Sequence, residues 1–194
     1  YTADDRMIRS SLVVHSGVGF RPSEPQEPPL DLGKKRLLVL QRHTELYRAG
    51  NWRDWHDDIF AVICSALAEV FVNHTVVAIK SDDENFENCL ECLIWQFSHA
   101  DIIVGAHGAG LTNMIFMPPG SVVVETVGVW DGRMLPVCGY TGVLCAANGH
   151  HHFIYYYDWE SRNRILTHPH LDVLQPTKLA KESLDFYLKV RSSK

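Results

Sequence analysis

The chain has 194 residues, of which 46% are hydrophobic, and its formal net charge at pH 7 is −5. This apolar content is enough for a packed domain of ordinary size. The acidic balance, with no long run of either charge sign, argues against a nucleic-acid-binding protein. The longest apolar stretch, residues 115–129, is interrupted by Pro118, Pro119 and Gly120 and does not predict a membrane span. Because the chain begins at Tyr1, we expect that an upstream anchor or domain belongs to the whole protein, and that membrane contact occurs only through such a segment.

The first 33 residues differ in composition from the rest of the chain. Residues 1–20 contain one candidate strand and are interpreted as an N-terminal remnant of a preceding unit. Residues 21–33, RPSEPQEPPLDLG, hold four prolines and predict an extended linker. Residues 34–194 are then predicted to form one domain.

Within this domain the hydrophobic pattern predicts strands and helices in alternation. Residues 36–41, RLLVLQ, are a nearly continuous apolar run, which is typical of a strand buried in a parallel sheet. Residues 54–72 carry apolar side chains at helical spacing. A capping box at residues 81–84 opens a second helix that is predicted to run to about His99. Further strands are predicted over residues 75–79, 101–104, 121–127 and 153–157, and a terminal helix over residues 177–190.

This order of elements predicts a Rossmann-like α/β fold, with a mostly parallel sheet and helices on both faces. Ligands of such sheets bind at the carboxyl ends of the strands. A glycine-rich turn, GAHGAG at residues 105–110, follows one of the predicted strands there. Its backbone amides, and those of a helix beginning near Gly108, suit a phosphate group. The spacing is neither the dinucleotide fingerprint nor a P-loop, and tight packing without a ligand explains the glycines equally well.

Four charged or polar side chains are candidates for ligand contact at this edge. His107 is suited to donating a hydrogen bond to a phosphate or sugar, or to acting as an acid or base, although a core histidine is the alternative. Arg42 and Arg48 present forked donors that match a diphosphate without a metal, and surface ion pairs are their alternative role. Glu125, at the predicted end of a strand, is suited to accepting hydrogen bonds from a ribose diol, or is an ordinary strand-end charge.

Cysteine and histidine pairs give weaker signals. Cys89 and Cys92 have metal or redox spacing but lie in a helical window, which favours plain buried cysteines. The histidines at residues 150–152 and 168–170 are predicted to lie in solvent-facing loops, so no metal site is expected. Asn73 begins the N-glycosylation pattern Asn-His-Thr at a predicted exposed connection.

Two stretches of the sequence carry a resemblance to a known family. HGAGLTNMIFMPPGSVVVE, from His107 to Glu125, resembles the signature of glycosyltransferase family 61. LLVLQRHTELYR, which contains Arg42 and Arg48, is similar to that family's strand followed by two arginines. Within the family, the pattern is most similar to the EGF-domain-specific O-linked N-acetylglucosamine transferases.

The resemblance implies the C-terminal half of an inverting GT-B glycosyltransferase of the endoplasmic reticulum or Golgi lumen. Such an enzyme transfers a sugar, such as N-acetylglucosamine or xylose, from a UDP-sugar to a hydroxyl group of a protein or polysaccharide. It uses no cofactor and needs no metal. The expected donor-binding residues are Arg42, Arg48, His107, Gly108, Ala109, Gly110, Thr112 and Glu125.

The resemblance also implies that part of the enzyme lies outside this chain. The acceptor-binding N-terminal domain and the general base are expected there, so this fragment alone is expected to bind the donor without turnover. A non-catalytic nucleotide- or carbohydrate-binding module derived from such an enzyme is the alternative.

Overall fold

The structure is a computed structural model that describes residues 35–41, 55, 57–80, 89–129, 139–158 and 175–193. The strands in these ranges are β1 (Lys35–Gln41), β2 (His74–Lys80), β3 (Ile102–Ala106), β4 (Val122–Val129) and β5 (His151–Asp158). The helices are α1 (Asp57–Val70), α2 (Leu90–Ser98), a 3-10 helix (Ala109–Phe116), α3 (Tyr140–Asn148) and α4 (Pro176–Ser192). Among the described residues, no helix is both long enough and apolar enough to cross a bilayer.

The described strands form one sheet in the order β2-β1-β3-β4-β5, and every neighbouring pair is parallel. In β1, Leu37 and Val39 belong to the core on one face of the sheet, and Leu38 belongs to the core on the other. This alternation follows from the two-residue period of a strand. It explains why β1 is apolar almost throughout, and it confirms the predicted parallel α/β fold.

Helices cover both faces of the sheet, as predicted. On one face, α1 and α4 contribute buried residues that include Ile63, Leu67 and Leu179. On the other face lie α2, the 3-10 helix and α3, whose buried residues in the hydrophobic core are Phe97, Leu111, Met114 and Cys145.

Several element boundaries differ from the predicted ones. β3 continues through Gly105 and Ala106, so these two residues belong to the strand and not to the turn. β4 ends at Val129, so Glu125 lies in the middle of this strand and not at its end. The strand continues because the residues around Glu125 are all buried and the pairing with β5 extends to Asp158.

Residues 150–152 do not form a solvent-facing loop, so that prediction was wrong. Helix α3 ends at Gly149, which has a left-handed φ of 69° and turns the chain back toward the sheet. His150 is buried, and its Nε2 lies 3.0 Å from the carbonyl oxygen of Met114. His151 and His152 then begin β5.

The prediction of plain buried cysteines was also wrong for Cys89 and Cys92, which form a disulfide. Cys89 lies at the N-cap position of α2, and its Sγ accepts a hydrogen bond of 3.1 Å from the backbone N–H of Cys92. The two sulfurs come together because the first turn of a helix places residues three apart on one side. Asn73 is exposed, in the turn between α1 and β2, as expected.

Other predicted features lie outside the described residues. They are the remnant at residues 1–20, the linker at 21–33, the capping box at 81–84, the histidines at 168–170, and Arg42 and Arg48.

Candidate functional site

The strand order reverses direction between β1 and β3. From β1 the chain passes through α1 to β2 at one edge, whereas from β3 it passes through the 3-10 helix to β4 on the other side. The carboxyl ends of β1 and β3, at Gln41 and Ala106, therefore border the point where ligands bind in open α/β sheets. His107 follows Ala106 directly and so lies at this point.

Gly105 has a packing role. A Cβ at this position would lie 3.1 Å from Cδ2 of Leu111 and 3.3 Å from Cβ of Leu40. The missing side chain therefore lets the 3-10 helix approach the end of β1. A Cβ at Gly110 would meet only Cδ1 of Leu40, at 3.9 Å, so packing does not account for that glycine.

The turn between β3 and the 3-10 helix consists of His107 and Gly108, and the helix begins at Ala109. Ala109 and Gly110 are exposed. The first amides of a helix have no partner within it, and they carry a partial positive charge toward a ligand. Thr112 donates its hydroxyl hydrogen to the carbonyl oxygen of Ala109 at 2.6 Å, which closes the first turn. A ligand contact by Thr112 stays a prediction.

His107 is held by two contacts with β4. Its backbone N–H donates to the carbonyl oxygen of Thr126 at 2.9 Å, which extends the pairing of β3 with β4 by one residue. Its side chain is buried, and Nδ1 is hydrogen-bonded to Oε1 of Glu125. The ring centroid lies 5.6 Å from that of Tyr140, at the start of α3.

Glu125 is 1% exposed and accepts hydrogen bonds from three protein groups. Besides His107, Thr141 in α3 donates its hydroxyl hydrogen to Oε1 at 2.9 Å. His152 in β5 lies with Nε2 2.9 Å from Oε2. The carboxylate thus joins four elements: the turn after β3, β4, α3 and β5.

The three donors determine the charge of Glu125. Burial alone would raise the pKa of this carboxyl group, but the hydrogen bonds from His107, His152 and Thr141 together outweigh burial and hold the pKa at about 2. Glu125 is therefore ionised at neutral pH. An ionised carboxylate accepts hydrogen bonds only, so Nδ1 of His107 carries the proton of this hydrogen bond.

The structure thus brings together two of the predicted site residues, His107 and Glu125, and places Gly108, Ala109 and Gly110 beside them. Thr141 and His152 were missed by sequence reasoning. His152 lies one residue before the predicted strand at 153–157, and its place beside Glu125 depends on the pairing of Val123 with His152. No sequence pattern pointed to Thr141.

Among the residues that the structure describes, two further cysteines are weak candidates for chemistry. Burial raises the pKa of the Cys64 and Cys145 thiols to about 11, so neither is a ready nucleophile. In the part of the chain that the structure describes, no group of three or more His, Cys, Asp or Glu side chains is arranged to hold a metal ion.

A parallel sheet with helices on both faces, and with an anchored histidine at the point where its strand order reverses, defines a Rossmann-like α/β domain. Residues 19–124 match the model of the Glycosyltransferase 61 family, and they make up more than half of the chain. The chain therefore belongs to glycosyltransferase family 61, which confirms the resemblance noted in the sequence. The matched region ends one residue before Glu125.

Two individual proteins illustrate what the chain is similar to in sequence and in fold. The EGF domain-specific O-linked N-acetylglucosamine transferase of Gallus gallus is 28% identical over 142 residues, which are 72% of this chain and 22% of that protein. The chain thus spans less than a quarter of the length of this relative. An X-ray structure of an oxidoreductase from Corynebacterium diphtheriae superposes with a TM-score of 0.55 at 11% identity, covering 84% of this chain and 99% of the other. This second likeness concerns the fold alone.

Proposed function

We propose that the chain is the donor-binding half of a GT-B-type inverting glycosyltransferase and that it binds a UDP-sugar at the carboxyl ends of β1 and β3. One observation carries the proposal. In a member of glycosyltransferase family 61, a histidine anchored on a buried carboxylate lies at the N-terminus of a helix, where the strand order reverses.

The diphosphate of the donor would lie against the turn that follows β3. The exposed residues Ala109 and Gly110 offer amide hydrogens there, and His107 offers its Nε2. In the sequence, Arg42 follows the last residue of β1, and Arg48 comes six residues later. We assign both arginines to the diphosphate oxygens, which forked guanidinium donors fit well.

The proposed reaction is a single displacement. The acceptor hydroxyl oxygen forms a bond to the anomeric carbon from the face opposite the diphosphate, while the bond from that carbon to the diphosphate oxygen breaks. UDP leaves with the bonding electron pair, and the hydroxyl proton passes to a base that we place outside this chain. Arg42, Arg48 and His107 would stabilise the charge that develops on the diphosphate, so the proposal includes neither a metal nor a cofactor.

Glu125 acts in this proposal mainly through His107. Its two oxygens already accept hydrogen bonds from His107, Thr141 and His152. A ribose diol would have to share these oxygens or displace one of the donors, so the ribose contact of Glu125 stays a prediction.

The name of the chicken relative supports N-acetylglucosamine as the sugar and a protein as the acceptor. Xylose as the sugar, or a polysaccharide as the acceptor, is the alternative that the family resemblance leaves open. A non-catalytic nucleotide- or carbohydrate-binding module derived from such an enzyme is the second candidate.

The proposal is tested by UDP binding to the 194-residue chain. We expect a calorimetric signal for UDP, and we expect Arg42→Ala and Arg48→Ala each to weaken binding by at least about tenfold, since charge-assisted hydrogen bonds are worth ~1.5–3 kcal/mol. Lys181→Ala, an exposed lysine in α4, is the charge-matched control. Failure of the folded wild-type chain to bind UDP would refute the proposal.

Catalysis is tested separately, on the chain together with the acceptor-binding domain that the proposal requires. Transfer from UDP-N-acetylglucosamine or UDP-xylose to a hydroxyl acceptor, with inversion at the anomeric carbon, would support the enzyme. UDP binding with neither transfer nor hydrolysis would favour the non-catalytic module.

The compartment we propose is the lumen of the secretory pathway. The Cys89–Cys92 disulfide suits an oxidising environment. Asn73 is exposed in the turn before β2, at the amino end of this strand. His107 follows the carboxyl end of β3, so the two residues lie at opposite ends of the parallel strands. A glycan on Asn73 would leave the donor site accessible.

A further inference from the structure

We infer that His152 and Thr141 are positioning residues of the donor site, which hold the Glu125 carboxylate so that it fixes the imidazole of His107. The inference rests on the proposed function for the identity of the ligand. It concerns residues that lie beyond the region matched by the family, residues 19–124.

The carboxylate of Glu125 is held at both oxygens by groups from different elements. Oε1 accepts from Nδ1 of His107 and from Oγ1 of Thr141 at 2.9 Å, and Oε2 accepts from Nε2 of His152 at 2.9 Å. Rotation of the carboxylate out of its plane would weaken all of these bonds. His152 and Thr141 therefore restrict the orientation in which Oε1 faces His107.

The holding groups are themselves fixed by the fold. Thr141 is buried in the first turn of α3, with 1% of its surface exposed. The His152 ring lies against Gly142, where a Cβ would be 3.4 Å from Nδ1, and only 17% of the His152 side chain is exposed. Hydrogen bonds in such surroundings compete little with water, so each one orients its partner effectively.

The consequence for His107 is a fixed tautomer and a fixed ring plane. With Oε1 held in place, Nδ1 of His107 remains the donor to Glu125, and the position of Nε2 is fixed with the ring. Without the donors at positions 141 and 152, the carboxylate can turn and the His107 ring can follow it. In metal sites, removing the group that hydrogen-bonds to a metal-binding histidine and orients it typically lowers metal affinity or activity roughly 10–100-fold. We expect an effect near the lower end of this range for UDP.

A purely structural role for His152 and Thr141 makes a different prediction. In that case their replacement would lower the thermal stability of the chain but would leave the His107 ring and the affinity for UDP unchanged. The two roles are therefore separated by measurements on His107 itself.

The experiment uses pairs of variants that remove or keep the donor. His152→Phe and Thr141→Val remove it with little change of shape, whereas His152→Gln and Thr141→Ser keep a donor group at each position. His151→Phe is the matched control, because His151 neighbours His152 in β5 but is exposed. UDP affinity is measured by calorimetry, and the two ring nitrogens of His107 are followed by ¹⁵N NMR.

We expect His152→Phe and Thr141→Val to weaken UDP binding at least about tenfold and to shift the ring nitrogen signals of His107. The donor-keeping variants and His151→Phe should stay within about threefold of wild type, which corresponds to roughly 0.6 kcal/mol. If His152→Phe does not fold, Thr141→Val decides the question.

Wild-type UDP affinity and unchanged His107 signals in the folded donor-free variants would overturn the inference. If the wild-type chain does not bind UDP at all, the proposed function fails instead. The His107 signals then decide on their own whether His152 and Thr141 position its ring.

Discussion

Replacing Glu125 with glutamine removes the negative charge at the centre of the candidate site and keeps the length of the side chain. The carboxylate is buried and accepts hydrogen bonds from His107, Thr141 and His152. A glutamine at this position would have one acceptor oxygen, and its NH₂ group would face at least one of these donors. We therefore expect a measurable loss of stability.

The size of the loss follows from the pKa of Glu125. The three hydrogen bonds outweigh the effect of burial and lower the pKa from its ordinary value of 4.5 to about 2. At ~1.4 kcal/mol per pKa unit, the ionised carboxylate contributes about 3 kcal/mol to the free energy of unfolding. Because the folded pKa is the lower one, this contribution is complete above the unfolded value and is lost as the pH falls through the folded value. At pH 3.5 roughly two fifths of it is gone.

Urea-induced unfolding at pH 7, 5.5 and 3.5 measures this contribution. We expect Glu125→Gln to be about 3 kcal/mol less stable than wild type at pH 7 and 5.5, with a smaller difference at pH 3.5. Glu69→Gln, at an exposed position near the end of α1, is the matched control and should stay within about 0.5 kcal/mol of wild type.

Two results would contradict the reasoning. One is a difference below about 1 kcal/mol at pH 7, which is the size of an ordinary hydrogen bond. The other is a difference that stays constant between pH 5.5 and 3.5. Either would mean that Glu125 is not an ionised carboxylate held by three donors.

Three further predictions concern other parts of the structure. Gly105→Ala should destabilise the chain by about 1 kcal/mol in thermal unfolding, because its Cβ would press on two leucines, whereas Gly139→Ala has no atom within 4 Å and should be neutral. Asn73→Gln should abolish a mass shift on enzymatic deglycosylation of protein secreted from eukaryotic cells, and an unshifted wild type would exclude a glycan at Asn73. The peptide containing Cys89 and Cys92 should be alkylated in the unfolded chain only after reduction, and alkylation without a reductant would exclude the disulfide.

The strands were predictable from the sequence where burial on both faces requires an apolar side chain at nearly every position. β1 and β4 are buried on both faces, so their sequences are almost continuously apolar, and the alternation with helices predicts parallel pairing. Helix α3 escaped prediction because it contains Gly142 and exposes Val143, so its apolar residues do not follow a clear helical stripe. The start of β5 also lacks a clear apolar pattern, because histidines occupy positions that usually hold apolar residues, and it was therefore not predicted.

The sequence predicted where the candidate site lies, but it did not predict the hydrogen bonds between its residues. His107 could be placed at a strand end because glycines and an apolar run surround it. Its contact with Glu125, eighteen positions later in the chain, depends on how β3 and β4 are aligned, and Gly105 pairs with Glu125 in the sheet. The contact with His152 depends in addition on the alignment of β4 with β5. These alignments are set by the packing of whole elements, which no local pattern records.

The network changes how the glycine-rich turn is understood. A turn that binds a ligand through its amides alone would depend only on β3 and the 3-10 helix. Here the imidazole in the turn is bonded to a carboxylate from β4, and that carboxylate is held by α3 and β5. Under the proposed function, substitutions in residues 139–158 would therefore alter UDP binding at the turn without contacting the ligand. It follows that a fragment ending with the family match at residue 124 would lack Glu125 and both of its further donors, and we expect such a fragment to lose the fixed orientation of His107.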